Sequence, residues 1–342
     1  MPFRRITFWT HDADLGRRLD ELLSEHLAES SGQPLSKGAV RRIIVAGAVS
    51  VNGRPVRAAS AVLGPGARVE ARVDLERLEA RGAARARRFV MTEERILYED
   101  GQLLVVDKPP GLPTHATLDA ARDSLVAATE RYLRERDGIE NTERAPYLGL
   151  HQRLDRDTSG ALLFAKDPAV NSALGRLFSE RLVQKTYLAL AVRPKEPPPS
   201  TWTVENYLGP APRRKGMGKR TRYQAVRSGG APARTDFRLL ETFARGLLVE
   251  ARPRTGRTHQ IRVHLAGAGL PIMGDDLYGL AEGARPGHDS AGQEPPRLML
   301  HASSLAFPHP STGDGLVIES PLPEDFRAWL SRLRSEAEPG PG

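Results

Sequence analysis

Fifteen residues with no core-forming pattern, Asp74 to Arg88 (DLERLEARGAARARR), divide this 342-residue chain into two folding units. Five arginines and three acids among alanines and leucines read as a linker, a short helix or flexible chain that can touch phosphates in passing. Residues 14–73 before it form one small unit. Leu15, Leu19, Leu22, Leu23 and Leu27 recur at the three-to-four spacing of an amphipathic helix. Ser36 is a good N-cap for a second helix through Lys37, Val40, Arg41, Arg42 and Ile43 to Ile44. Gly47 ends that helix, and in Val49-Ser50-Val51-Asn52-Gly53-Arg54-Pro55-Val56 the Asn-Gly pair between β-branched residues signals a hairpin. About sixty residues can barely bury a core of their own, which makes the unit an appendage. Arg17, Arg18, Lys37, Arg41 and Arg42 lie around its two helices, as a solvated face or a surface for a polyanion.

From Phe89 the texture changes. Ile96-Leu97-Tyr98 and Leu103-Leu104-Val105-Val106 flank Glu99-Asp100-Gly101-Gln102 in a hairpin pattern, and Lys108-Pro109-Pro110-Gly111 turns the chain. Helices are predicted over 124–136 and 168–180, and strands over 161–165, 185–192, 236–240, 247–251, 259–265, 298–302 and 316–319. Strands outnumber helices without strict βαβ alternation. The expected class is therefore α+β, with a mixed, largely antiparallel central sheet in a domain spanning 89–334. Residues 281–296 read as a surface loop and 335–342 as a disordered tail.

Composition narrows the chemistry. The absence of cysteine excludes disulfides, thiolate metal sites and thiol nucleophiles. No run approaches the roughly 20 apolar residues of a membrane span, and Met1–Ile6 lacks an apolar signal core, so a cytoplasmic protein without a membrane partner is expected. Fifty basic against 42 acidic residues leave a net charge of +8, which favours a polyanion partner. Arg213, Arg214, Lys215, Lys219 and Arg220 fall in RRKGMGKRTR (213–222), a stretch with six basic groups and no acid that reads as a phosphate-grasping loop.

The densest polar cluster outside the loops, His151-Gln152-Arg153-Leu154-Asp155-Arg156-Asp157-Thr158-Ser159-Gly160, runs straight into the apolar strand Ala161–Ala165. A loop at a strand end is a usual seat of function. In extended chain Asp155 and Asp157 would share a face at close to the ~5–5.5 Å of a retaining glycosidase pair, a reading that stands beside a turn network of Asp, Thr and Ser. Strand alternation over 259–265 puts Gln260, Arg262 and His264 on one face. His259 and His264 do not read as a metal pair, because five residues apart they face opposite sides of a strand and diverge by roughly 140° on a helix. Tyr187 alone reads as a half-buried strand aromatic.

H-x-R-L-D-R-D-T-S-G followed by A-L-L-F-A-K resembles the active-site motif of the RluA-type RNA pseudouridine synthases. Three further segments agree in order: Val105-Val106-Asp107-Lys108-Pro109-Pro110-Gly111-Leu112, Lys185-Thr186-Tyr187-Leu188-Ala189-Leu190, and Arg254 through Leu265 (RTGRTHQIRVHL). The last continues into Gly269–Asp275 with Tyr278-Gly279 beyond, and the likeness extends from about Ile96 to Pro310. Gln152, between His151 and Arg153, departs from members that carry His directly before the Arg. The order helix, Leu-Ser-Lys helix, V-x-V-N-G-R-P-V in the N-terminal unit resembles an S4-type RNA-binding domain.

The resemblance implies Asp155 as the essential catalytic residue, with no cofactor and no metal. It implies Arg262 as the guanidinium that orients Asp155, Tyr187 as a ring stacked on the target uracil, and Arg153 as the side chain filling the gap left by a flipped nucleotide. Ile261 and Lys185 are implied as substrate contacts, with Lys108 and Lys185 open as phosphate contacts or structural ion-pair members. Members with such an appendage tend to act on large-subunit ribosomal RNA, which makes that RNA the expected partner and a monomer without a DNA partner the expected form. A transfer RNA pseudouridine synthase and a noncatalytic RNA-binding ribosome-assembly factor on the same fold are the alternatives.

Overall fold

The computed structural model of the protein describes residues 4–31, 37–45, 47–73, 88–115, 123–139, 146–212, 221–279, 287 and 292–336. It divides into two compact units, one comprising Met1–Val90 with His115–Ala128 and the other Met91–Thr114 with Thr129–Gly342. Linker residues 74–87 and tail residues 337–342 lie outside the described residues. Among those described, no helix is long and apolar enough to cross a membrane.

The first unit carries β1 (Arg4–Trp9), α1 (Leu19–Ser31), α2 (Lys37–Val45), β2 (Val49–Val51), β3 (Arg54–Pro55) and β4 (Arg68–Val73). The strands form an antiparallel sheet in the order β1-β4-β2-β3. Leu19, Leu22, Leu23 and Leu27 of α1 pack with Val40, Ile43 and Ile44 of α2 against Ile6, Phe8, Val49, Val69, Ala71 and Val73 of the sheet. Two boundaries differ from expectation. Leu15 lies before α1 and is exposed, and β1 extends the unit N-terminal to residue 14. Only Ile6 and Phe8 of β1 reach this core, too short an alternation to stand out between arginines. The Asn-Gly hairpin is present, with both residues at positive φ (Asn52 51°, Gly53 78°) as a two-residue I′ turn requires.

After α3 (Leu125–Arg136), which runs across the division between units, the second unit's sheet dominates. Its strands are β5 (Ile96–Glu99), β6 (Leu103–Lys108), β7 (Gly149–Leu150), β8 (Ser159–Ala165), β9 (Gln184–Val192), β10 (Thr201–Pro210), β11 (Tyr223–Val226), β12 (Ala231–Thr242), β13 (Gly246–Pro253), β14 (Leu300–Pro308) and β15 (Gly315–Glu319). Helices α4 (Pro168–Ser179), α5 (Gln260–Gly267) and α6 (Glu324–Ser335) complete it. The order is β11-β10-β12-β13-β9-β14-β8-β6-β5, with β15 beside β14 and β7 beside β8. One pair, β14 with β8, is parallel and the others are antiparallel, as the α+β expectation required. At that junction Gly160 has φ +117°, and a Cβ there would fall 2.2 Å from the Ala302 carbonyl oxygen, so the strands meet only around glycine.

The strand predicted over 259–265 is instead α5. Gln260, Ile261, Arg262, Val263, His264 and Leu265 are all buried, and a helix covered on every side shows no 3.6-residue polar stripe. The apolar alternation of Ile261, Val263 and Leu265 therefore mimicked a strand. In α6, Phe326, Trp329, Leu330 and Leu333 supply the buried stripe of an amphipathic helix that reaches Ser335, one residue beyond the predicted domain end.

His264 of α5 is buried, its Nδ1 2.9 Å from Thr235 Oγ1 and its Nε2 3.1 Å from Asn206 Oδ1. Burial pulls its pKa down to about 4, so the neutral ring accepts from Thr235 and donates to Asn206. The unfolded chain, with a normal histidine, then binds the extra proton between pH 6.5 and 4, and stability falls as pH falls through that window. Urea unfolding should lose on the order of 3 kcal/mol from this group between pH 7 and pH 4, and His264→Gln should remove that part of the slope.

Candidate active site

The site is built where the loop after β7 enters β8. Asp155 begins a turn closed by the Thr158 amide donating to the Asp155 carbonyl at 3.1 Å. Beneath it Lys108, with no exposed surface, donates to the carbonyls of Pro109 (2.9 Å), Leu112 (2.7 Å) and Arg156 (2.9 Å). Burial pulls the Lys108 ammonium down to about 7, while three acceptors match the three N–H groups of its charged form. Lys108 therefore ties the Lys-Pro-Pro-Gly segment to the Asp155 turn and is a structural group.

Arg262 reaches Asp155 from α5. Its Nη1 donates to Asp155 Oδ2 at 2.9 Å, while Nε and Nη2 grip both oxygens of Asp275 at 2.8 Å. The Asp275 side chain is wholly buried, that of Arg262 is 7% exposed, and that of Asp155 is 25% exposed. Asp275 Oδ1 also accepts the backbone N–H groups of Leu277 and Tyr278. Burial opposes the Arg262 charge, but the hydrogen bonds and charges of Asp275 and Asp155 outweigh it and hold the guanidinium protonated. The Tyr278 ring lies 5.1 Å from the guanidinium carbon. Among the described residues no donor bonds Asp155 Oδ1, which leaves that oxygen for a substrate.

His259, passed over in the sequence as a metal ligand, borders the same carboxylate. Its backbone is left-handed at φ 58°, an uncommon conformation for a non-glycine residue, and its Nε2 lies 3.8 Å from Asp155 Oδ2. Nδ1 lies 2.8 Å from the Tyr278 hydroxyl, which also accepts the Tyr223 amide at 2.8 Å. The Tyr278 hydroxyl thus ties the Nδ1 side of the ring, and Nε2 faces Asp155. Burial lowers the His259 pKa and keeps the ring neutral.

The other predicted residues separate into groups. Tyr187 is buried on β9, where burial and the Asp155 charge push its hydroxyl pKa up, so it stays a neutral phenol. Lys185 shares its strand face two residues away; it has no carboxylate partner among the described residues, and burial lowers its pKa. Its Nζ would be 3.7 Å from a Cβ built on Gly256. Arg153 is exposed and Ile261 is buried next to Arg262. Both oxygens of Asp157 are taken by Arg156, at 2.9 and 2.8 Å, which removes it as the second free carboxylate of a glycosidase pair. His151 bonds Asn171 at 2.8 Å and stacks on Phe178, a packing role.

In the first unit, Arg18 and Arg41 both bond Asp20 at 2.9 Å and Arg17 pairs with Asp14 and Glu25. The side chains of Lys37 and Arg42, and residues Arg213, Arg214, Lys215, Lys219 and Arg220, lie outside the described residues. Asp275 and Tyr278 were legible only as part of the motif continuation; nothing in their spacing marks one as the anchor of Arg262.

The buried Arg262 guanidinium thus holds a partly exposed carboxylate on a largely antiparallel α+β sheet, the arrangement that the motif resemblance implied. The family described as RNA pseudouridylate synthase matches residues 102–267. The chain is 35% identical to ribosomal large subunit pseudouridine synthase C of Haemophilus ducreyi, over 97% of each chain. It is 36% identical to the protein of that name from Escherichia coli K12, over 98% of each. Among solved structures, human RNA pseudouridylate synthase domain containing 4 superimposes with a TM-score of 0.56 at 29% identity, covering 76% of this chain and 98% of that one. The chain belongs to the RNA pseudouridine synthase family, in the RluA-type branch its motifs resemble.

Two substitutions test this architecture. Asp275→Asn leaves Arg262 buried without its anchoring charge and should cost about 3–5 kcal/mol in urea unfolding, the usual penalty for breaking a buried pair. Lys108→Met takes the ammonium donor from the Pro109 and Leu112 carbonyls, while the Arg156 carbonyl keeps the Gly111 amide, and should cost about 2–3 kcal/mol by the same measurement.

Proposed function

We propose that the protein isomerises uridine to pseudouridine in large-subunit ribosomal RNA, with Asp155 as the catalytic carboxylate. The observation that carries this is the asymmetry of Asp155: Oδ2 is held by Arg262 and faced by His259, while among the described residues no donor bonds Oδ1. In the reaction the N1–C1′ bond breaks, the base turns, a C5–C1′ bond forms, C5 gives up its proton and N1 takes one. Atoms and electrons balance without an oxidant or a cofactor. A carboxylate assists by adding to the ribose or base, or by removing a sugar proton from a transient intermediate. Tyr187 supplies a ring for the turned uracil, a contact worth about 1–3 kcal/mol per base.

The glycosidic bond is inaccessible inside a stack, so the uridine must be flipped out. Arg153, exposed beside Asp155, takes the place it leaves. Ile261 lines the approach to the site. Lys185 serves as the phosphate contact, a role favoured over a structural one because it has no carboxylate partner among the described residues. The N-terminal unit acts as an S4-type RNA-binding domain, with Arg17, Arg18, Lys37, Arg41 and Arg42 toward RNA and with the 213–220 segment as a further grasping loop. The exposed Arg17–Glu25 pair does not oppose this, because such pairs are worth only ~0–1 kcal/mol and exchange readily for phosphate, while Arg18 and Arg41 share the buried Asp20 and offer RNA their remaining N–H groups. Near full-length likeness to relatives named for the large ribosomal subunit supports ribosomal over transfer RNA as substrate. The protein works as a cytoplasmic monomer.

Pseudouridine mapping of ribosomal and transfer RNA from cells with and without the protein tests the reading. A site in large-subunit RNA should disappear, return with the intact protein and stay absent with Asp155→Asn. A map that does not change, or a lost site in transfer RNA alone, would overturn the substrate assignment.

A further inference from the structure

Among the described residues, α1 and α2 pack on one face of the first unit's sheet. Ile6 and Phe8 of β1 and Val69, Ala71 and Val73 of β4 alternate inward to the core shared with α1 and α2. The residues between them form the opposite face, where the register sets Arg5 against Arg72, Thr7 against Glu70 and Trp9 against Arg68. Trp9 is 53% exposed, and the side chains of Arg5 and Arg68 are 57% and 51% exposed. The Arg68 guanidinium lies 5.9 Å from the indole centroid. Glu70 is the one acid among these six residues and is shared by Arg5 and Arg68, while Arg72 is exposed with no hydrogen-bonded carboxylate among the described residues.

This combination has a specific chemistry. Three guanidinium groups against one carboxylate leave a net positive face, and ion pairs so exposed yield easily to phosphate. Trp9 adds what charge alone does not, a large flat ring open to solvent. The chain's other two tryptophans are engaged elsewhere: Trp329 is buried and Trp202 stacks on Phe237 at 5.1 Å. An exposed indole flanked by arginines on a sheet is how single-stranded nucleic acid is held, its bases on the ring and its phosphates on the cations.

We propose that this outer sheet face is an RNA-contact surface: an unpaired base stacks on Trp9, and the adjoining phosphates pair with Arg5, Arg68 and Arg72. The proposal rests on the reading of the substrate as RNA. It adds a single-strand platform on the side of the unit away from α1 and α2, where the resemblance to an S4-type domain sets the contact. Its substrate would carry an unpaired segment outside the target uridine.

The test uses the full chain, a short single-stranded oligoribonucleotide and a large-subunit RNA fragment, with Trp9→Phe, Trp9→Ala and Arg72→Glu. RNA should quench the tryptophan emission of the native protein, and the quench should vanish in Trp9→Phe. Affinity should fall about tenfold in Trp9→Ala, the effect of losing one stacked base, and only about twofold in Trp9→Phe. Arg72→Glu should weaken binding and flatten its salt dependence. The isomerisation rate at saturating RNA should stay unchanged in all three, with thermal unfolding confirming that each is folded. Native affinity in folded Trp9→Ala, or an emission indifferent to RNA, overturns the proposal. So does a loss confined to binding a ribosomal protein, which would assign the face to a protein partner. A chain that shows the quench and its loss but makes no pseudouridine would sink the catalytic reading and leave this one standing.

Discussion

Arg262 is the group on which the site depends. A guanidinium taken out of water is costly unless both its charge and its N–H groups are matched. Here Asp275 takes two N–H groups in a wholly buried bidentate pair, and a third N–H is left to hold Asp155. The buried pair sets position, and the partly exposed pair presents the carboxylate to which the proposed chemistry is assigned. Because Asp275 is itself fixed by two backbone amides, the position of the Asp155 carboxylate traces back to the turn after α5. The left-handed backbone of His259, at the start of α5, belongs to the same construction, since it brings an imidazole against the carboxylate that Arg262 holds.

The sheet supplies the other half of the geometry. Asp155 enters from the loop before β8 and Tyr187 from β9, strands that are not neighbours but both flank β14. The parallel contact of β14 with β8 is possible because Gly160 has no side chain to strike Ala302. Lys108 then pins the Asp155 turn to the end of β6 through the Arg156 carbonyl. Three separate stretches of chain thus converge through backbone contacts, while reaction chemistry is left to few side chains.

Much of this was legible beforehand. Polar residues running into Ala161–Ala165 gave away a loop on a strand, and the Asn-Gly turn and the leucine spacing of α1 gave away the first unit. What failed had physical causes. In α5, complete burial erased the helical period and left an alternation that looks like a strand. β1 is short, and only two of its residues reach the core. Asp275 could not be told from its neighbour Asp276, because long-range pairing with Arg262 leaves no local pattern. Lys108 and Lys185 looked alike in the sequence. Only their surroundings separate them, one bound by three carbonyls and the other without a carboxylate partner among the described residues.

In the proposed reaction Arg262 acts by holding Asp155 rather than by binding RNA. Single-turnover pseudouridine formation by Arg262→Lys, compared with its RNA affinity, tests it most directly. Lysine keeps the charge but has no planar fork to bridge two carboxylates. The account predicts a rate at saturating RNA lower by about a hundredfold or more, on the scale of losing a preorganised charged contact, with affinity changed less than about threefold. A rate close to native, or a loss confined to affinity, would contradict it.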